Sequence, residues 1–254
     1  VVSVRYRPQR NGIRIGVALR RLLLEVLLAK AVQTALHMIN YRRGGRSGHT
    51  NGYILMTDGE VQSANSGHEA SAISTIVLGF AADPMTRWVW PDASEYLKMM
   101  PRFVRAFCGP AFEHGTAYIT EGIRAAALWL PPGVEPDHEA MGAIMEESLR
   151  PDIADDLGFI MKSMGEHHPN EPHWYLPLIA ADPHWVGQGL GALLMKHSLR
   201  RCDEEGIPAY LESSNPRNIS LYERLGFNII GKIQCGSSPV LTPMLRPPTS
   251  RLRY

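Results

Sequence analysis

The sequence predicts an α/β domain in which a mixed sheet is flanked by helices. Three observations predict it. Strand-like apolar runs alternate with runs of helical period along most of the chain. Residues 116–130 read as a hairpin, two strand-like runs around the turn Glu121-Gly122. The stretch from His173 to Gly191, HWYLPLIAADPHWVGQGLG, reads as a buried strand, a short turn and a glycine-rich loop that opens a helix.

The 254 residues carry a formal net charge of +1, which argues for no general nucleic-acid or membrane partner. The three cysteines, Cys108, Cys202 and Cys235, are scattered and make no metal spacing. A reduced, cytoplasmic setting is expected, with no metal. His167 and His168 are adjacent but lack a partner at ligand spacing, so they read as a solvated loop pair. The apolar segment Ile13–Ile39 is interrupted by Arg14, Arg20, Arg21, Glu25 and Lys30. That is too many charges for a membrane span of about 20 residues, and no signal-peptide cleavage pattern follows.

In order, Ile13 to about Tyr41 fits an amphipathic helix, and RRGGRSGHTNG (Arg42–Gly52) a flexible linker. Residues 1–55 are therefore expected to be an extension to a core domain at 56–246; a partner-binding helix is the functional alternative. VQSAN from Val61 reads as a short strand, and a helix runs from Ser66 or His68 to about Phe80. Asp83-Pro84 punctuates the chain. Asp92, with Glu95 three residues on, starts a helix to about Cys108. After the hairpin, Pro131-Pro132-Gly133 breaks the chain and two helices follow at 137–149 and 152–164. A loop, Gly165–Pro172, leads to the strand from His173. The helix after the glycine loop lasts to about Glu205 and stops at Gly206. Pro208–Glu212 is a strand, Asn215 starts a helix ending at Leu225-Gly226, and Phe227–Gln234 and Pro239–Leu245 are the last strands. The tail, 247–254, is expected to be disordered.

Gly187, Gly189 and Gly191 would present backbone N–H groups at the positive end of a helix dipole, a ready site for phosphate or pyrophosphate. One reading is dinucleotide binding. Gly187-x-Gly189-x-x-Ala192 fits that fingerprint, and the acidic Glu212 lies about 20 residues on. Against it, Asp182-Pro183-His184-Trp185-Val186 separate the strand from the first glycine, and one helix and two strands are all that follow Glu212. A nucleotide-triphosphate P-loop lacks its Lys-Ser/Thr pair.

The motif Val186-Gly187-Gln188-Gly189-Leu190-Gly191, preceded by Asp182-Pro183, resembles the coenzyme A loop of the GNAT superfamily of N-acyltransferases, Gln/Arg-x-x-Gly-x-Gly/Ala. A second block, Asn215 to Gly226-Phe227 with Tyr222 inside it, is similar to the superfamily's Asn-x6-Tyr-x3-Gly-Phe. Val186 departs from the usual Gln or Arg. Within the superfamily the sequence most resembles the puromycin N-acetyltransferase group, in EPHWYL and in Tyr210–Asn218, over roughly residues 60–246.

The resemblance implies the GNAT fold, with acetyl-coenzyme A as cosubstrate. The backbone of Val186, Gly187, Gln188, Gly189, Leu190, Gly191 and Ala192 would hold the pyrophosphate. Ile179, Ala180 and Ala181 would offer backbone groups to the pantetheine arm, provided that a neighbouring strand splays away. Tyr222 would protonate or hydrogen-bond the leaving thiolate, the alternative being an aromatic on a buried helix face. Asn215 would bond the cofactor or cap its helix. Glu212 is the best carboxylate for a base; a structural hydrogen bond or a water relay would also account for it, and His173 and Glu171 are weaker candidates. Trp88, Trp90, Tyr96, Phe103 and Trp129 are the aromatics that could wall an amine pocket, most of them core.

The expected activity is acetyl transfer to a primary amine of a small molecule, an antibiotic-like amine being one candidate, by direct attack in a ternary complex, by a monomer or homodimer. The alternatives are a non-catalytic acyl-coenzyme A sensor and a protein or peptide N-acetyltransferase.

Overall fold

The computed structural model describes residues 61–249. The helix expected at Ile13–Tyr41 and the linker after it lie outside these residues. The described elements are β1 (Val61–Ser63), α1 (Glu69–Gly79), α2 (Pro84–Val89), α3 (Ala93–Glu113), β2 (Ala117–Thr120), β3 (Ala125–Leu130), α4 (His138–Ser148), α5 (Ala154–His167), β4 (Trp174–Ala181), α6 (Leu190–Glu205), β5 (Ala209–Ser213), α7 (Pro216–Arg224), β6 (Asn228–Ile229) and β7 (Thr242–Arg246). Among them no helix is long and apolar enough to cross a membrane.

The strands form one sheet in the order β1-β2-β3-β4-β5-β7-β6. β4 and β5 are parallel; every other neighbouring pair is antiparallel. This is the mixed sheet flanked by helices that the sequence predicts. Side-chain alternation builds a core on each face. Along β3, Ala126, Leu128 and Leu130 join Ile76, Met100 and Val104 of α1 and α3 on one face. Ala125, Ala127 and Trp129 join Leu194, Met195 and Leu199 of α6 on the other. Each fully buried Leu, Ile, Val or Met among them contributes about 1.5–3 kcal/mol.

Most helix boundaries follow local chemistry. Asp83, Asp92 and Asp137 cap α2, α3 and α4 by accepting N–H bonds from the first turn. Gly206, at φ 68°, ends α6 in the left-handed conformation.

Three boundaries differ from expectation. α3 does not stop at Cys108 but continues through Pro110 to Glu113. Proline has no N–H for the carbonyl one turn back, and the N–H of Asp137 takes up that carbonyl, Ala106 O, at 2.8 Å. α5 extends to His167, where the ring Nδ1 meets Ser163 O at 2.8 Å. Phe227–Gln234 is not one strand: Asn228–Ile229 pair with β7, and the chain then crosses to an isolated bridge between Ile233 and Leu241. Gly231 lies against the His167 ring there, so this segment packs on the end of α5.

The beginning of the expected disordered tail is anchored. Arg246 makes a bidentate pair with Asp203 of α6 at 2.8 and 2.9 Å and donates from Nε to Leu225 O at 2.8 Å; Thr249 N–H donates to Asp203 at 2.6 Å. The ends of α6, α7 and β7 are thus tied at one point. Burial raises the Asp203 carboxyl, but the bonds from Arg246 and Thr249 outweigh it and hold the group below its ordinary value. A depressed carboxyl contributes stability that is complete above the unfolded value of about 3.9 and is lost as pH falls through the lower folded value. Asp203→Asn is therefore expected to cost about 2 kcal/mol at pH 7, with the gap to the parent protein shrinking below about pH 4, as read by denaturant unfolding across pH.

Candidate active site

The site begins with a failure of strand pairing. β4 and β5 pair at just two positions, Trp174 with Ala209 and Tyr175 with Tyr210. β4 runs on six residues further and β5 three, without pairing to each other. The pairing stops where β4 is irregular. Leu128 faces Leu178 but Leu130 faces Tyr175, so β4 carries one residue extra, a bulge at Leu176-Pro177. Pro177 also has no N–H to give a ladder. Beyond the bulge, Ile179, Ala180 and Ala181 pair with β3 on one edge and are not paired with β5 on the other. The splay on which the proposed role of these three residues depends is present.

The loop after β4 leads directly to the start of α6. Asp182, whose N–H donates to Arg124 O, begins a tight 3-10 turn at Pro183–Trp185, and the Arg124 guanidinium lies 4.2 Å over the Trp185 ring. Gly187 and Gly189 then adopt φ of 85° and 82°, with Gly189 as the N-cap of α6. Gly191 is different: its φ is ordinary, and an added Cβ would meet nothing closer than Leu221 Cδ2 at 3.8 Å. Two glycines shape the loop and the third is a normal helix position. The first-turn N–H groups of α6 have no partner within the helix and sit at its positive end. This suits an anionic pyrophosphate, and the exposed Val186 leaves the approach open.

On the opposite side of the splay lies a cavity of about 910 Å³. Its walls include Phe80, Trp90, Phe103, Phe107, Met141 and Met161, drawn from the C-cap of α1, from α3, α4 and α5, and from the residues between α2 and α3. Trp90 is pinned by a 2.9 Å bond from its indole N–H to Ser148 of α4. The polar residues of the wall include Glu212, His168, His173, Asp83 and Ser214.

Glu212 ends β5 with a side chain only 4% exposed. Its Oε1 accepts from the Tyr210 hydroxyl at 2.9 Å, and the Tyr175 hydroxyl is bonded to the same carboxylate. Burial, then the Glu212 charge, pushes both phenols well above their ordinary range, so both remain donors. His168 Nδ1 lies 3.9 Å from Glu212 Oε1, and His168 and His173 are joined Nε2 to Nε2 at 2.8 Å. His168 is thus no solvated loop residue. The reversal of the chain between α5 and β4 brings it against the end of β5, which residue spacing does not reveal.

Tyr222 lies on the other face, in the core with Leu194, Leu211 and Phe227, and is not among the cavity-lining residues. It is 5% exposed, and burial, then the charge of Asp83, raises its phenol above the ordinary value. Asp83 therefore matters beyond its cap. One of its oxygens holds the first turn of α2 while the other accepts the Ser214 hydroxyl at 2.6 Å, linking the α2 corner to the end of β5. Burial raises its own carboxyl. In the sequence it was legible only as turn punctuation. Asn215 caps α7, accepting the Arg217 N–H at 3.1 Å.

Of the five candidate wall aromatics, Trp90 and Phe103 line the cavity. Tyr96 is buried and donates to Val77 O, Trp88 donates to Ser237, and Trp129 belongs to the opposite core. His173 and Glu171 line the cavity beside Glu212.

Residues 105–227 match the model of the acetyltransferase (GNAT) family. An uncharacterised N-acetyltransferase of Schizosaccharomyces pombe is 24% identical over 176 residues, covering 61% of this chain and 69% of that protein. Mycothiol acetyltransferase of Nocardiopsis dassonvillei is 37% identical over 60 residues, 22% of this chain and 18% of that protein. Two solved structures share the fold. A Corynebacterium glutamicum protein described as histone acetyltransferase HPA2 and related acetyltransferase has a TM-score of 0.54 at 24% identity, over 76% of this chain and 98% of its own. Polyamine N-acetyltransferase of Drosophila melanogaster has a TM-score of 0.52 at 16% identity, over 74% and 98%.

The loop geometry separates the three glycines by experiment. Gly187→Ala and Gly189→Ala each place a Cβ in the left-handed region and are expected to cost about 1–2 kcal/mol. Gly191→Ala is expected to leave stability unchanged or raise it by up to about 1 kcal/mol. Thermal unfolding of the three variants checks this ordering.

Proposed function

We propose that the chain is an acetyltransferase of the GNAT superfamily, and that it acetylates a primary amine carried on a small, largely apolar molecule. The observation that carries this reading is the cavity. About 910 Å³ of space is lined by Phe80, Trp90, Phe103, Phe107, Met141 and Met145, with Glu212 among the polar residues of the same wall. Such a volume suits a drug-sized ligand, for which pockets run to about 300–1,000 Å³. A protein lysine would call for a shallow polar groove instead. Within the superfamily we place the chain nearest the puromycin N-acetyltransferase group, on the runs EPHWYL and YLESSNPRN. In this reading residues 56–246 are the catalytic domain and 1–55 an extension to it.

Acetyl-coenzyme A supplies the acetyl group as an activated thioester. The backbone of residues 186–192, built around the left-handed Gly187 and Gly189, would hold its pyrophosphate, with Ala192 in the first turn of α6. The unpaired edge of Ile179, Ala180 and Ala181 would take its pantetheine arm as an added strand. Asn215 acts through the fold, by starting the helix that carries Tyr222.

The two proposed catalytic groups have opposite tasks. The attacking nitrogen must be neutral, and Glu212 on the cavity side is the carboxylate that draws off its proton. The leaving thiolate needs a proton or a strong hydrogen bond, and Tyr222, its phenol raised by burial, is the donor.

Tyr222→Phe and Glu212→Gln are each expected to lower kcat about a hundredfold, with the KM for acetyl-coenzyme A within about twofold of the parent. Full turnover by Tyr222→Phe, where chemistry limits the rate, would remove the phenol from the mechanism. Specificity is read by thiol release over a panel of amines. Aminonucleosides and arylalkylamines are expected to exceed spermidine and a histone-tail peptide by at least about tenfold in kcat/KM, a difference of about 1.4 kcal/mol. The reverse preference would overturn the small-molecule assignment.

A further inference from the structure

The imidazole pair beside Glu212 has a hydrogen-bond pattern that sets its protons. His173 Nδ1 lies 2.8 Å from the carbonyl oxygen of Glu171. A carbonyl can only accept, so this nitrogen carries a proton. A neutral His173 then offers a lone pair at Nε2, and the 2.8 Å contact to His168 is made by the His168 Nε2–H. The second nitrogen of a neutral His168, Nδ1, is consequently without a proton, and it is the one facing Glu212 Oε1 at 3.9 Å. The tautomers follow from the partners. The ring is also held edge-on against Tyr175 and Tyr210, at centroid distances of 4.8 and 4.7 Å, and cannot turn without displacing them.

We propose that His168 is the proton-relay residue of the acceptor side: the proton leaving the ammonium passes by way of Glu212 to His168 Nδ1, a side-chain movement of about 1 Å closing the 3.9 Å between them, and His173 holds the tautomer that keeps this nitrogen ready. The inference rests on the amine-acetylating reading above. One N–H bond of the ammonium breaks and one Nδ1–H bond forms. The electron pair stays on the amine nitrogen for attack on the thioester, and the positive charge moves to the imidazole. The imidazolium is then paired with Glu212, and both rings, partly exposed on the cavity wall, pass the proton to water. The groups facing His168 are Glu212 and Tyr210 from β5 and His173 and Tyr175 at the start of β4, with Glu171 of the intervening loop lining the same cavity.

A relay explains why this carboxylate is surrounded as it is. Two phenols donate to it, and the adjacent His168 imidazole turns a nitrogen lone pair toward it.

The test uses the intact protein and an amine that the parent enzyme accepts. His168→Gln is expected to lower kcat about 30-fold at pH 7, with the KM for acetyl-coenzyme A unchanged. At about pH 9.5 the loss should shrink to about threefold, because an alkylamine near 10.4 then gives its own proton to solvent. His173→Gln, whose amide oxygen can still accept the His168 Nε2–H, should stay within about threefold of the parent; His173→Leu should fall with His168→Gln. A loss of the same size at both pH values, or no loss, overturns the relay. If the parent enzyme releases no thiol with any amine, the amine-acetylating reading falls and the relay with it.

Discussion

The parting of β4 and β5 is the feature on which the rest of the site depends. Two parallel strands that pair at Tyr175 and Tyr210 and then separate leave one backbone edge unpaired and open a gap through the sheet. Buried backbone groups without partners are costly, commonly about 1–3 kcal/mol each. The split therefore has to be imposed. The bulge at Leu176-Pro177 does so from within β4. α1 does so from outside, through Gly79, where an added Cβ would lie 2.5 Å from Ala180 Cβ and 2.8 Å from Ala181 O. Only a glycine lets that helix end come so close to the strand.

Two brackets keep the gap at a fixed width. Asp83 binds Ser214 across the cavity-side margin, and Arg246 ties α6, α7 and β7 together behind Tyr222. Both Asp83 and Arg246 are buried, and both are multiply hydrogen-bonded, the arrangement in which burying a carboxylate or guanidinium is tolerable. The Asp83 charge has a second effect, since it helps keep the Tyr222 phenol protonated.

How much of this was legible in the sequence follows from the range of each interaction. Caps and stops are local, so Asp92 and Gly206 marked their helix ends correctly, and the hairpin at Glu121-Gly122 formed where expected. The glycine loop and the Tyr222 block were readable because backbone conformation and short spacing leave a local trace. α3 overran its expected end because the compensation for Pro110 comes from Asp137, beyond the hairpin. His168 was misread for the same reason. Its meaning comes from Tyr210 and Glu212, which only the fold brings near, and no periodicity encodes that meeting. The wall aromatics show the same limit, since whether a tryptophan faces the cavity or a core depends on which face of the sheet its element covers.

The division of the sheet into two faces has a chemical consequence for the proposed reaction. Acetyl transfer needs a proton removed at the amine and a proton supplied at the sulfur. Here the phenol belongs to the core on the α6 and α7 side, while the carboxylate and the imidazole pair belong to the cavity on the other side. The acceptor and donor substrates would meet at the gap between them, each reaching the group suited to it. The same arrangement accounts for the two phenols that are not proposed to be acids. Tyr175 and Tyr210 sit at the last paired residues of the split and spend their hydroxyls on Glu212, which fixes the carboxylate at the point where the strands part. The strand junction thereby positions the base as well as the opening.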